Sequence, residues 1–260
     1  MRKNIWLSVV LVLITGVTSY AQYGESIRSG RPGQAIGPFT VGTRVFQVQA
    51  GTDVSGSKQD SQDGINREAI DVGSVFRLGL TKKFELGLGI NYNSQSIENV
   101  NGNEDLSGIS AFSIRMRSNV YEGKGATPSV GYQFELGIPI VDREYRSDQL
   151  APKITVVTGQ KFGDRWGFVT NWGASWDGNS AQSTGFNILN IGYGLSDKLS
   201  LFIEQYGFLN NKKYDSKLDG GLAYLINNDL QLDLHGGRDR NLDDHKEWFV
   251  SLGVSWRVRY

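Results

Sequence analysis

The stretch from Ile70 to Tyr92 restricts the fold most. Phe84, Leu86, Leu88, Ile90 and Tyr92 recur at every second position, with Glu85, Gly87, Gly89, Asn91 and Asn93 between them. Successive side chains of a strand point to opposite faces, so this segment has one wholly apolar face and one polar or small face. A helical period places these residues on no common stripe. Thr81-Lys82-Lys83 joins it to a similar run, Ile70 to Leu80. Each run is roughly the 9–11 residues that a tilted β-strand needs to cross a bilayer.

The rest of the chain repeats this unit. Further strands are expected at Phe39–Gln49, Ile109–Val120, Val130–Ile140, Ile154–Lys161, Trp166–Trp176, Gly185–Leu195, Leu199–Phe208, Lys217–Ile226, Leu230–Gly237 and Trp248–Tyr260. Short turns fall at Thr81–Lys83, Glu122–Thr127, Gly163–Arg165, Ser196–Lys198 and Asn227–Asp229. Longer polar loops are expected between, including Ala50–Asn66, Ser94–Ser107, Asn210–Ser216 and Gly237–Lys246. Short turns on one side and long loops on the other mark an outer-membrane barrel. The expectation is therefore all-β: a transmembrane antiparallel up-and-down β-barrel of about 12 strands over residues 39–260, with both ends on the periplasmic side.

The last strand supports this. Trp248, Val250, Leu252, Val254, Trp256, Val258 and Tyr260 share one face, and Ser251, Ser255, Arg257 and Arg259 lie on the other. Its terminal aromatic resembles the insertion signal by which the outer-membrane assembly machinery recognises its clients. Tyr92, Trp166, Trp172, Trp176, Trp248, Trp256 and Tyr260 are expected at the membrane interfaces, in contact with outer-membrane lipid.

Residues 1–21 read as a signal peptide: Arg2 and Lys3, an apolar run from Ile5 to Val17, and a small-x-small site ending at Ala21. The apolar run is shorter than the roughly 20 residues of a spanning helix. Export to the bacterial outer membrane is expected, with cleavage after Ala21. The remaining chain carries 25 basic and 27 acidic residues, a formal charge of −2. That balance excludes the strongly basic profile of a nucleic-acid binder. With no cysteine, neither a thiolate zinc site nor a thiol nucleophile is available. Residues 22–38, rich in Gly, Ser and Arg, are expected to be an irregular lead-in, either loose in the periplasm or folded back into the lumen as a plug.

Three segments carry a family resemblance: Ser29-Gly30-Arg31-Pro32-Gly33-Gln34, then Ile36-Gly37-Pro38-Phe39-Thr40-Val41, then Phe46-Gln47-Val48-Gln49-Ala50-Gly51. Together with the turns around Thr81 and Ser196, they resemble the outer-membrane transporters of the phenol-degradation meta-pathway type. In that family an Arg-Pro-Asp-like motif precedes a Ser-Pro-x-Thr-Val segment and a first strand with Glu near its end. Here Gly33 stands for the Asp and Gln49 for the Glu. The resemblance implies an outer-membrane barrel importing aromatic or other small compounds.

The strand phases put Asp71, Arg77, Glu85, Arg115, Arg117, Glu135, Lys161, Glu204, Asp219, Asp233, His235, Arg257 and Arg259 on inward positions. An Arg or Lys facing lipid at mid-membrane would cost about 2–4 kcal/mol, so confinement to one phase supports the topology. These residues are candidates to line the lumen. They could border a polar pore or close it as a network, since twelve strands lie between filled eight-stranded barrels and open porins. Inward glycines, among them Gly73, Gly87, Gly131 and Gly173, would leave space. His235 and His245 are the only histidines. Neither sits beside a nucleophile motif, so no enzyme, cofactor or metal is expected. The function expected is a channel or transporter for small solutes, hydrophobic or aromatic ones among them. A closed barrel with functional outer loops is the alternative, and a barrel hydrolase a more distant one.

Overall fold

A computed structural model describes residues 25–59, 65–100, 102–124, 127–239 and 245–260. Residues 1–21, expected as the signal peptide, and their cleavage site lie outside the described residues. Twelve strands are arranged in chain order: β1 (Val45–Gln59), β2 (Asn66–Gly79), β3 (Phe84–Asn99), β4 (Gly102–Tyr121), β5 (Ser129–Gly137), β6 (Ala151–Phe162), β7 (Trp166–Trp176), β8 (Ser183–Gly194), β9 (Leu199–Asn210), β10 (Lys213–Asn227), β11 (Leu230–Asp239) and β12 (His245–Arg259). Every strand pairs antiparallel with its neighbours, and β1 pairs with β12 to close the barrel. Closure removes the exposed edges that an open sheet would have to protect.

The exposed large hydrophobics lie outside, as on β12, where Trp248, Val250, Leu252 and Trp256 are exposed while Ser251, Ser255 and Arg257 are buried. Much of the buried set is polar or charged, including Gln47, Arg77, Glu85, Glu204 and Asp233. Apolar out and polar in is the reverse of a water-soluble protein and is what lipid as solvent demands.

Strand ends differ from expectation at both ends of the barrel. β1 begins at Val45 rather than Phe39 and continues to Gln59, through residues expected in a loop. β3 and β4 run on through the segment expected as the loop Ser94–Ser107. β9 and β10 leave only residues 211–212 between them. Where a strand rises past the apolar band, both faces meet water, and the alternation that marks a strand in sequence disappears. The backbone goes on pairing. Asymmetry between the two ends therefore resides in strand length as much as in loop length. A real loop survives at 138–150, with a 3-10 turn at Arg143–Tyr145.

Candidate functional site

The site is the inner face of the barrel together with the lead-in. Residues 25–44 form no strand. They enter at the end that carries the short turns, rise inside the wall and return to join β1. At the entry, Arg257 donates to the carbonyls of Glu25 and Ser26, and Ile27 N–H donates to Asn228 O. Arg77 and Gln47 both donate to Arg28 O. Higher up, the hydroxyls of Ser29 and Ser255 lie 2.7 Å apart, and Gln49 donates to Ser29. Arg31 donates to Ser251 at 2.7 Å and pairs with Asp233 at 3.1 Å. At the top, Glu204 accepts the N–H groups of Gln34 and Ala35, and Asn171 both accepts from and donates to Ile36. On the descent, Asn119 donates to Pro38 O, and Val41 N–H donates to Glu85 at 2.6 Å. An irregular backbone cannot satisfy itself in a barrel interior, so side chains from eight strands do it instead, including Gln231 of β11, which donates to Arg31 O.

Inward glycines make this possible. Arg31 lies where a side chain on Gly51 or Gly253 would be, and these two glycines pair across the β1–β12 seam. A Cβ on Gly131 or Gly159 would stand 2.9 Å from Pro38. At these positions the glycines make room for the lead-in rather than for a solute. Replacing Gly51 by Val is expected to drive Arg31 from its niche. Amide exchange at Gln34–Val41 should then accelerate by about tenfold or more. Unchanged exchange would mean that Arg31 does not anchor the segment.

The other inward candidates group by height. Arg77 grips Glu85 with two hydrogen bonds of 2.8 and 2.9 Å, and Arg117 approaches the same carboxylate at 3.7 Å. Arg117 also donates to Gln133, and Arg115 pairs with Glu135 at 3.0 Å. Asp71 lies directly opposite Asp53 on β1 and accepts from Asn93. Asn93 in turn accepts from the Tyr145 hydroxyl of the 138–150 loop. Partial burial and then the Asp71 carboxylate hold that hydroxyl above the usual phenol pKa. Glu204 and Asp219 are opposite one another and almost wholly buried. His235 is buried between Phe202 and Phe249, at 6.2 and 5.4 Å between ring centres, and its Nδ1 has no partner among the described residues. Lys161 and Arg257 border a chamber at the turn end, and Arg259 is exposed beyond it. The side chain of His245 lies outside the described residues. Among the interface candidates, Tyr92, Trp166, Trp172, Trp248, Trp256 and Tyr260 are exposed and Trp176 is half-buried.

Sequence reading missed Asp53 and Arg31. Asp53 was expected in a loop, yet Gln47, Gln49, Gly51 and Asp53 alternate with Phe46, Val48, Ala50 and Thr52. That alternation could have found it. Val45 obscured the phase: it is apolar but faces inward and is fully buried.

Three spaces border the inner face among the described residues. A cavity of about 290 Å³ lies between the lead-in and β1–β5, bordered by Asp53, Asp71, Arg115 and Gln133. Towards the loop end it meets a vestibule of about 310 Å³ at Asp71, which borders both. Towards the turn end lies a chamber of about 770 Å³, with Arg28, Phe39, Lys82 and Lys161. The Arg77–Glu85–Arg117 group and Val41 stand between the cavity and that chamber.

The family model described as "Putative MetA-pathway of phenol degradation" matches residues 29–258. No curated protein sequence matches the chain. Among solved structures, an outer membrane channel from Pseudomonas putida F1 superposes with a TM-score of 0.68 at 12% identity, covering 88% of this chain and 100% of that one. The translocator domain of the autotransporter NalP from Neisseria meningitidis gives 0.56 at 12% identity, covering 82% and 88%. The transport unit of the autotransporter AIDA-I from Escherichia coli gives 0.51 at 9% identity, covering 97% and 98%. At these identities the likeness is one of fold.

Proposed function

The chain belongs to the family described as "Putative MetA-pathway of phenol degradation", and from that premise we propose that it is a bacterial outer-membrane channel for small solutes. The observation that carries this reading is the chain of internal spaces inside an apolar outer surface. The vestibule and cavity share a border at Asp71, and among the described residues the lead-in and one buried ion-paired group stand between them and the turn-end chamber. A barrel that served only as an anchor would have no need of large water-sized spaces bordered by fixed charges. Phe39, Val41 and Val169 in the turn-end chamber could accommodate an apolar body, in keeping with the aromatic solutes the family name suggests. The exposed outer aromatics are assigned to the two lipid interfaces, and the last strand to recognition by the assembly machinery.

In planar bilayers the purified barrel should give stepwise conductance of uniform unit size. Heat-dependent mobility on a denaturing gel reports whether the barrel is folded. A folded barrel that gives no steps and passes no small solute would defeat the channel reading in favour of a closed barrel.

A further inference from the structure

The charges around the 290 Å³ cavity are segregated. At its loop-side end Asp53 and Asp71 face each other on adjacent strands, a like-charge pairing that is unfavourable unless something neutralises it. Asp233 lies beside them, and Arg31 is the single cation paired there among the described residues. Three carboxylates against one guanidinium leave two negative charges in excess. A buried oxygen of Asp53 and one of Asp233 have no partner among the described residues.

The opposite end has the reverse imbalance. Arg77, Arg115, Arg117 and Lys153, which lies opposite Glu135, share Glu85 and Glu135 among the described residues, an excess of two positive charges. Arg117 is almost fully buried and donates to the neutral amide oxygen of Gln133, with its nearest carboxylate 3.7 Å away. A buried charge without a full counter-charge is costly. Both ends thus lack a counter-charge, and they border the same cavity.

We propose that this cavity is a binding station for a small zwitterionic solute, with its ammonium towards Asp53 and Asp71 and its carboxylate towards Arg115 and Arg117. A simple anion would neutralise one end and be repelled by the other, and a simple cation would do the converse. A charge-separated solute satisfies both. The inference rests on the channel reading and narrows its substrate class.

Four probes of one carbon skeleton test it: 4-aminobutanoate, butanoate, butylammonium and butanamide. Calorimetry on the folded barrel in detergent should give tightest binding for 4-aminobutanoate, by about tenfold over the others. Arg115→Gln and Asp71→Asn should each remove most of that preference, so the two ends check each other should one variant fold poorly. Proteoliposome swelling should follow the same order. Equal or tighter binding of butanoate or butylammonium, no binding of any probe, or a preference that survives both substitutions, overturns the proposal. A calorimetric preference with no swelling for any probe rejects the channel and leaves the binding station standing.

Discussion

Removing residues 25–41 is expected to raise unit conductance at least severalfold. The lead-in crosses the lumen above the turn-end chamber, running from Asp233 to Glu204 and back to Glu85. Without it, the bore is that of a bare twelve-stranded barrel, wider than the side-chain-filled eight-stranded class. The deletion also strips partners from three almost fully buried carboxylates, so a lower thermal midpoint for heat-dependent mobility should accompany the wider pore. Current recordings check the first effect and gel mobility the second. If the shortened barrel folds and conducts as before, the lead-in does not obstruct the path.

Glu85→Ala should be the most damaging single substitution on the inner face. Its carboxylate serves Arg77, Arg117 and the Val41 N–H together, and the side chains of both arginines are at most 9% exposed. Deleting one partner of a buried ion pair costs about 3–5 kcal/mol, because the remaining charge stays buried and uncompensated. Here two guanidinium groups would be left. Denaturant titration of the barrel in lipid bilayers should show a loss in that range. Glu85→Gln should cost less, since its amide oxygen can still accept. A loss below about 1 kcal/mol for the alanine variant would mean that water has taken over the carboxylate's role.

How much of this was legible in sequence depends on which solvent each residue meets. Where one face meets lipid and the other the interior, as from Phe84 to Tyr92 or along β12, alternation is strict and the strands can be read directly. Where both faces meet water, as at the tops of β3 and β4, the pattern fails and strands pass for loops. The inward set could be identified for the same reason: charges avoid lipid. Its internal pairing could not. Arg77 with Glu85 is a cross-strand neighbour set, but Arg31 with Asp233 joins residues 202 apart in sequence. No local pattern encodes such a contact. The course of the lead-in is equally invisible, because its backbone bonds are made by Glu85, Asn119, Asn171 and Glu204, each supplied by a different strand.

The niche of Arg31 has a consequence for the order of assembly. Its walls are Gly51 from the first strand and Gly253 from the last, and its hydrogen-bond partners, Ser251 and Asp233, come from the final two strands. Three of these four residues lie on the last two strands, so the niche is incomplete until those strands pair. The earliest part of the barrel-forming chain must therefore wait for the latest, bearing the loop-closure entropy of nearly the whole sequence. The lead-in docks as a terminal step and reports that the ring has closed.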